Sequence, residues 1–235
     1  MIQNTSKLLI FAAGLLFGST VFGQTPPKPT PTPTLGLEQG FTEFETTEFR
    51  IKLVKQSQTL ASLEPKAANG FDFLPFDRIA TRAGDGFYHF GDLTFRLRND
   101  DGTWREYATA TVRKPVLPLT AKAPDLARAD LSPTLPADCP VQVIRTWTVV
   151  NGKLALHFDI VNKTDKAIEI GHLGIPLVFN NILTDRSLAE AHEKCSFSDP
   201  YTGLDAGYVQ VTRLKGNGPA LVVVPSGKTP FEAYQ

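Results

Sequence analysis

The sequence contains little that would assign it a chemistry. Its 24 Lys and Arg residues balance 24 Asp and Glu residues, so the chain gives no reason to expect nucleic acid or an anionic membrane as a partner. Neither a Gly-x-Ser-x-Gly nor a His-Glu-x-x-His motif occurs. Residues 226–229 end like a phosphate-binding loop, but Val222 stands where that loop requires its first glycine. We therefore predict no cofactor, and motifs identify no catalytic residue.

Long apolar runs are scarce beyond the N-terminus. After residue 23 no stretch approaches the roughly 20 apolar residues that span a bilayer. The sequence has a single Met beside 18 Gly and 18 Pro, a composition that suits turns and short strands better than long helices. We expect no membrane association beyond the N-terminal segment.

The first 36 residues predict export. Lys7 precedes the apolar run 8–16, and the small residues Val21 and Gly23 lie three and one positions before Gln24, which is the order of a secretory signal peptide. We assign residues 1–23 to that signal, 24–36 to a Pro/Thr-rich linker that favours polyproline II, and 37–235 to one domain. The predicted location is secreted or periplasmic. An uncleaved N-terminal anchor is the alternative.

Cysteine is scarce as well. In an exported chain, Cys139 and Cys195 favour a disulfide over free thiols, although two buried free cysteines remain an alternative. His192 stands three residues before Cys195, but no compact spacing supplies further ligands. We predict a Cys139–Cys195 disulfide and no metal site.

The clearest fold signal is Asn151-Gly152 between two alternating runs. Both residues tolerate the positive φ that a two-residue type I′ hairpin requires. The pairing places Trp147 opposite Leu156 and Val143 opposite Ile160, so one face of the hairpin is predicted to be core.

The remaining pattern favours an all-β fold of short strands with one short helix. Ser187 and Glu190 have the spacing of a capping box, which starts the helix and turns Leu188, Ala191 and Cys195 inward. Residues 115–140 lack periodicity and are predicted to be a surface connection. The continuous apolar run 220–224 is predicted to be a strand buried on both faces.

Two polar clusters are candidate ligand sites. The first combines carboxylates, arginines and a histidine with nearby aromatic rings, which suits sugar recognition; its members are Asp77, Arg78, Arg82, Asp85 and His89. Ion pairing beside core aromatics is the alternative, and a glycosidase carboxylate pair a further one. The second cluster consists of Asn180, Asn181, Asp185, Asp199 and Asp205 with Tyr201 and Tyr208. Because Asn and Asp are common in turns, turn formation is the first interpretation of this cluster.

Several runs of the sequence resemble a known group of proteins. They are residues 71–78, 91–96, 170–176, 199–208 and 229–234. Together they are similar to the N-terminal part of an uncharacterised family of secreted bacterial and fungal glycoside-hydrolase-like proteins. The resemblance implies an antiparallel, supersandwich-like β-sandwich, followed by a helical toroid, and a carbohydrate-related activity. Because relatives continue for several hundred residues beyond the position of Gln235, the toroid is expected to be missing here.

The predicted function is therefore an exported N-terminal β-sandwich, structural or accessory to a catalytic region absent from this chain. The expected partners are a polysaccharide or oligosaccharide and the missing C-terminal helical domain. A free-standing carbohydrate-binding module is one alternative, and it would show exposed aromatics. A non-enzymatic cell-surface interaction domain is the other, and it would show an exposed apolar patch, for which Phe231 and Tyr234 are candidates.

Overall fold

The computed structural model describes residues 36–84, 90–98, 101–109, 111–201 and 207–226. The predicted signal segment and most of the linker lie outside these ranges, as do Phe231 and Tyr234. The strands are β1 (Phe41–Glu45), β2 (Phe49–Val54), β3 (Leu60–Pro65), β4 (Thr94–Arg98), β5 (Trp104–Ala108), β6 (Leu117–Leu119), β7 (Asp125–Asp130), β8 (Val141–Val150), β9 (Lys153–Asn162), β10 (Glu169–Gly174), β11 (Ser196–Tyr201), β12 (Tyr208–Arg213) and β13 (Leu221–Val223). The helices are α1 (Ile79–Gly84) and α2 (Leu188–Lys194), and 3₁₀ turns form at Leu37–Gln39, Phe76–Arg78 and Ser132–Thr134.

These strands form four antiparallel sheets. Their orders are β1-β2-β3, β10-β4-β5, β11-β12-β13 and β6-β7-β8-β9. Every described pairing is antiparallel, which confirms the predicted all-β, sandwich-like fold.

The central hairpin forms in the predicted register. Asn151 and Gly152 take φ values of 51° and 80°, so both have the positive φ of the two-residue turn. Trp147 pairs with Leu156, and Val143 pairs with Ile160. The two strands have ten residues each, a length of roughly 33 Å.

This long hairpin contributes to two hydrophobic cores. The first core gathers residues of β2, β3 and β12 around Trp147, together with Phe73, Phe90 and Phe179. The second core gathers residues of β4 and β5 around Val141 and Val143. Strand β7 also contributes to both, through Ala127 and Ala129. The sheet β6-β7-β8-β9 therefore contributes to both hydrophobic cores, and we call it the common sheet.

Arg145 lies on β8 between the residues that enter the two cores, and its side chain is buried. Its Nη1 donates to the carbonyl of Gly91 at 2.5 Å, and its Nη2 donates to the carbonyl of Ser57. Gly91 has φ +119°, and a Cβ there would lie 3.1 Å from Arg145 Nη1. The buried guanidinium thus joins the ends of two loops to the common sheet.

Three predictions about individual segments fail. Residues 115–140 are not a surface connection, because they form β6 and β7 and bury Ala129, Leu131 and Leu135. Strand β13 is not buried on both faces: it ends its sheet, and Val222 is exposed. The capping box of Ser187 and Glu190 forms as predicted, but Leu188 is 76% exposed because α2 buries only Ala191 and its C-cap, Cys195.

Candidate functional site

The predicted ligand residues Asp77 and Arg78 are held by a distant segment of the chain. Both lie in the 3₁₀ turn that precedes α1. Asp77 receives a bidentate pair of hydrogen bonds from Arg186, with N–O distances of 2.9 and 3.0 Å, and Lys194 Nζ lies 3.3 Å away. Arg78 Nη2 donates to the carbonyl of Asp185 at 2.9 Å. These contacts clamp α1 to the segment that leads into α2.

Arg186 explains the strength of this clamp. Its side chain is only 1% exposed, and its Nε also donates to the carbonyl of Ile182 at 2.8 Å. The hydrogen bonds from Arg186 lower the pKa of Asp77 below its ordinary value of 3.8. Asp77 is therefore ionised at neutral pH and neutralises a buried guanidinium.

The other members of the first cluster are less well defined. Arg82 lies on α1 and lines a small pocket beside Leu60 and Leu74. The pocket volume of about 20 Å³ has room for little more than a water molecule. Asp85 and His89 lie outside the described residues. A ligand role for these five residues stays a prediction.

The aromatic rings near this cluster belong mainly to the core. Phe73 and Phe90 are buried, and Phe71 packs edge-on against Phe73 with the guanidinium of Arg213 3.9 Å from its ring centre. These contacts make the three rings packing residues. The geometry therefore favours the alternative of ion pairs beside core aromatics.

Two further carboxylates of this region also have structural partners. Asp72 accepts hydrogen bonds from the backbone N–H groups of Leu63 and Leu74, at 2.9 and 2.8 Å. Asp92 accepts one from the hydroxyl of Thr109 at 2.9 Å. Burial raises the pKa of both carboxyl groups. Both carboxyl groups therefore have partners that serve the fold, and a glycosidase carboxylate pair stays a prediction.

The two cysteines do not form the predicted disulfide, since both are free. Cys139 packs beside the second core. Cys195 is buried at the end of α2, and its Sγ lies 3.4 Å from the carbonyl of Ile182. Each thiol has its own packing environment. The disulfide was predicted from the expected export of the chain, which gives no information on where the two cysteines lie in the fold.

Trp104, the half-buried tryptophan, is enclosed by other side chains. The guanidinium carbons of Arg96 and Arg98 lie 4.7 and 4.8 Å from its ring centre. The ring also reaches β10, where a Cβ on Gly171 would come within 2.5 Å of it. Trp104 is thus a packing residue of the β10-β4-β5 sheet.

The second cluster contains the feature that sequence reasoning undervalued. Tyr201 and Tyr208 are cross-strand partners on β11 and β12. Their rings stack with centres 4.6 Å apart and planes inclined by 16°, and they are 46% and 37% exposed. Asn180 is buried and donates to the carbonyl of Lys194; Asp205 lies outside the described residues. The alternation of β12, with Val209 and Val211 inward, was the available signal for an outward Tyr208.

Within the described ranges no three His, Cys, Asp or Glu residues are grouped as metal ligands. No helix in the same ranges has the length and apolar character to cross a membrane.

Comparison with known structures agrees with the fold. The chain is similar to a solved protein described as a polysaccharide lyase, with a TM-score of 0.57 and 13% sequence identity. The match covers 75% of this chain and 24% of that protein, so this chain spans about a quarter of its length. At this identity the likeness establishes a shared antiparallel β-fold.

The sequence relationship is more specific. The chain belongs to DUF5695, a family of unknown function, whose family model matches residues 52–235. No curated protein matches the sequence significantly.

Replacing Asp77 with Asn tests the clamp. The variant removes the negative charge that faces buried Arg186, so the free energy of unfolding at neutral pH should fall by about 1–2 kcal/mol, at the low end for charged hydrogen bonds because Asp77 is partly exposed. The folded-state pKa of Asp77 is lowered, so its stabilisation is present above pH 3.8 and is lost as the pH falls through the folded value. Urea unfolding at several pH values should show the two proteins converging below pH 3.8.

Asp159→Asn is the matched control for this measurement. Asp159 Oδ1 lies 2.9 Å from Nε2 of the exposed His157, and the loss of this exposed pair should change stability by less than about 0.5 kcal/mol. If Asp77→Asn left stability unchanged but abolished saccharide binding, the clamp interpretation would be wrong and the predicted ligand role supported.

Proposed function

We propose that the chain is an exported β-sandwich that serves as the structural and accessory domain of a carbohydrate-active protein. In this role it packs against a partner region that carries the catalytic chemistry. The signal-like N-terminus and the Pro/Thr linker support an extracytoplasmic location. The fold likeness to a polysaccharide lyase supports carbohydrate as the substrate class of the whole assembly.

The observation that carries the accessory role is an incompletely covered side of the second core. We call it the open edge and define it by Phe158, Ile160, Ile170 and Leu173. Ile170 and Leu173 pair with Leu97 and Phe95 of β4, and Leu97 and Phe95 are fully buried. Paired residues of neighbouring strands face the same side of a sheet. Ile170 and Leu173 therefore face the core layer, yet both are 52% exposed.

Strand β9 shows the same asymmetry. Its residue Ile160 pairs with Val143, which is fully buried, whereas Ile160 itself is only half-buried. Both β9 and β10 end their sheets, and six residues connect them. Exposed apolar side chains on edge strands are characteristic of a surface that another protein segment covers.

An alternative function, a free-standing carbohydrate-binding module, is favoured by the exposed Tyr201–Tyr208 pair. It differs from the accessory role in needing no partner at the open edge. The two functions are therefore separated by whether the open edge associates with protein.

Self-association of the isolated chain tests the open edge. Residues 24–235 should associate in a concentration-dependent manner, because burying the apolar edge is favourable. Replacing Ile170 and Leu173 together with Lys should shift the protein to monomer in sedimentation velocity experiments. Leu188→Lys, on exposed α2, is the control and should leave association unchanged. The isolated chain should release neither reducing ends nor unsaturated products from polysaccharides.

Two outcomes would contradict the proposal. A wild-type chain that remains monomeric at high concentration would remove the support that the open edge gives. An isolated chain that already degrades a polysaccharide would replace the accessory role with a catalytic one.

A further inference from the structure

The outward side of the β11-β12-β13 sheet carries aromatic and polar side chains in ordered rows. We call it the tyrosine face and define it by Phe197, Asp199, Tyr201, Tyr208 and Gln210. Tyr201 pairs with Tyr208, and Asp199 pairs with Gln210. Phe197 lies on the same side of β11, since side chains alternate along a strand.

The fold of this sheet does not require these rings. Its attachment to the first core is made by the inward residues Val209 and Val211, which are buried. The outward residues Phe197, Tyr201 and Tyr208 are all exposed by more than a third of their surface. Stacking stabilises the tyrosine pair, but one tyrosine ring can shield only one face of the other.

The spacing of the rings suits an extended ligand. Phe197 and Tyr201 are four residues apart on one strand, a separation of roughly 13 Å. Asp199 and Gln210 form the row between them, and both side chains offer groups that hydrogen-bond hydroxyls. Flat apolar faces that alternate with hydrogen-bonding groups complement a chain of pyranose rings, whose faces are apolar and whose edges bear hydroxyls.

The charge of the face distinguishes between classes of glycan. The outward positions of the three strands hold Asp199 and no Lys or Arg; they are Phe197, Asp199, Tyr201, Tyr208, Gln210, Thr212 and Val222. A carboxylate at the centre repels the carboxylates of an acidic glycan.

We propose that the tyrosine face binds a neutral polysaccharide, with Tyr201 and Tyr208 as its stacking platform. The choice of a glycan as ligand rests on the proposed function; the choice of a neutral one rests on the charge of the face.

Affinity electrophoresis and calorimetry of residues 24–235 test the proposal with defined polymers. The neutral probes are hydroxyethylcellulose, glucomannan and laminarin, and the acidic probe is alginate. At least one neutral probe should bind, and alginate should not. Tyr201→Ala and Tyr208→Ala should each weaken binding about tenfold or more, the effect of losing about 1.4 kcal/mol. Tyr201→Phe, which keeps the ring face, should stay within about threefold.

Leu188→Ala controls for nonspecific effects of an exposed substitution, and thermal unfolding confirms that each variant is folded. If Tyr208→Ala does not fold, Tyr201→Ala and Gln210→Ala carry the test. Absence of binding to all three neutral probes, equal binding of alginate, or unchanged affinity in Tyr201→Ala would each overturn the proposal. Such a failure leaves the self-association of the open edge unaffected, so it is distinguishable from failure of the accessory role.

Discussion

Arg145→Met should lower the free energy of unfolding by about 2–6 kcal/mol, because two carbonyl groups lose their charged donor at roughly 1–3 kcal/mol each. The guanidinium is the donor to the carbonyls of Gly91 and Ser57, and the nearby carboxyl of Asp92 favours its charged form. Desolvation lowers the pKa of Arg145 to about 10, so it remains charged at neutral pH. Denaturant unfolding at pH 7 measures the effect.

The second half of the Arg145 test is a double-mutant cycle with Asp92→Asn. Burial raises the pKa of Asp92 and Arg145 counteracts that rise, so the Asp92 carboxyl is more costly to bury once Arg145 is gone. The double variant should therefore be more stable than the sum of the two single losses predicts. A loss below about 1 kcal/mol for Arg145→Met would show that the guanidinium does not hold the two loops to the β6-β7-β8-β9 sheet.

Trp147→Ala should also cost about 3–5 kcal/mol, the range for removing a large buried aromatic. The indole is buried in the first core, packs edge-on with Phe90 at 6.0 Å between ring centres, and donates its Nε1–H to the carbonyl of Gln58 at 2.9 Å. The substitution leaves a cavity and an unpaired carbonyl. Denaturant unfolding followed by circular dichroism measures the loss.

Trp104→Ala is the control for the tryptophan experiment. This indole is half-buried on a sheet face and packs between two arginines, so its loss should cost clearly less than that of Trp147. Equal losses would mean that burial in the first core does not determine the effect.

The parts of the fold that sequence predicts are those governed by local rules. The β8–β9 register follows from Asn151-Gly152 and from strict alternation on both sides. Strand β7 was missed because its inward positions are Ala127 and Ala129, whose small side chains give almost no apolar contrast. The run 220–224 was misassigned because a continuous apolar stretch cannot show whether a neighbouring strand covers its second face.

The candidate site was harder to predict for a different reason. Asp77 and its partner Arg186 are 109 residues apart, and no local pattern links them. The burial of Arg145 could have been predicted from the sequence, because Arg145 occupies an inward position of the alternating strand, between Val143 and Trp147. The Tyr201–Tyr208 pair was obscured because Asn and Asp nearby read as turn residues.

The common sheet, which contributes to both cores, has a consequence for how the molecule folds. Strands β7 and β8 each place side chains in both cores. If these strands lose their order in one core, the other core loses packing residues as well. The β8–β9 hairpin of this sheet depends on contacts between residues close in sequence, which form quickly. A folding nucleus at Asn151-Gly152 would therefore provide a packing surface for both cores at once. The domain should fold and unfold as a single cooperative unit, and the two cores should not unfold independently.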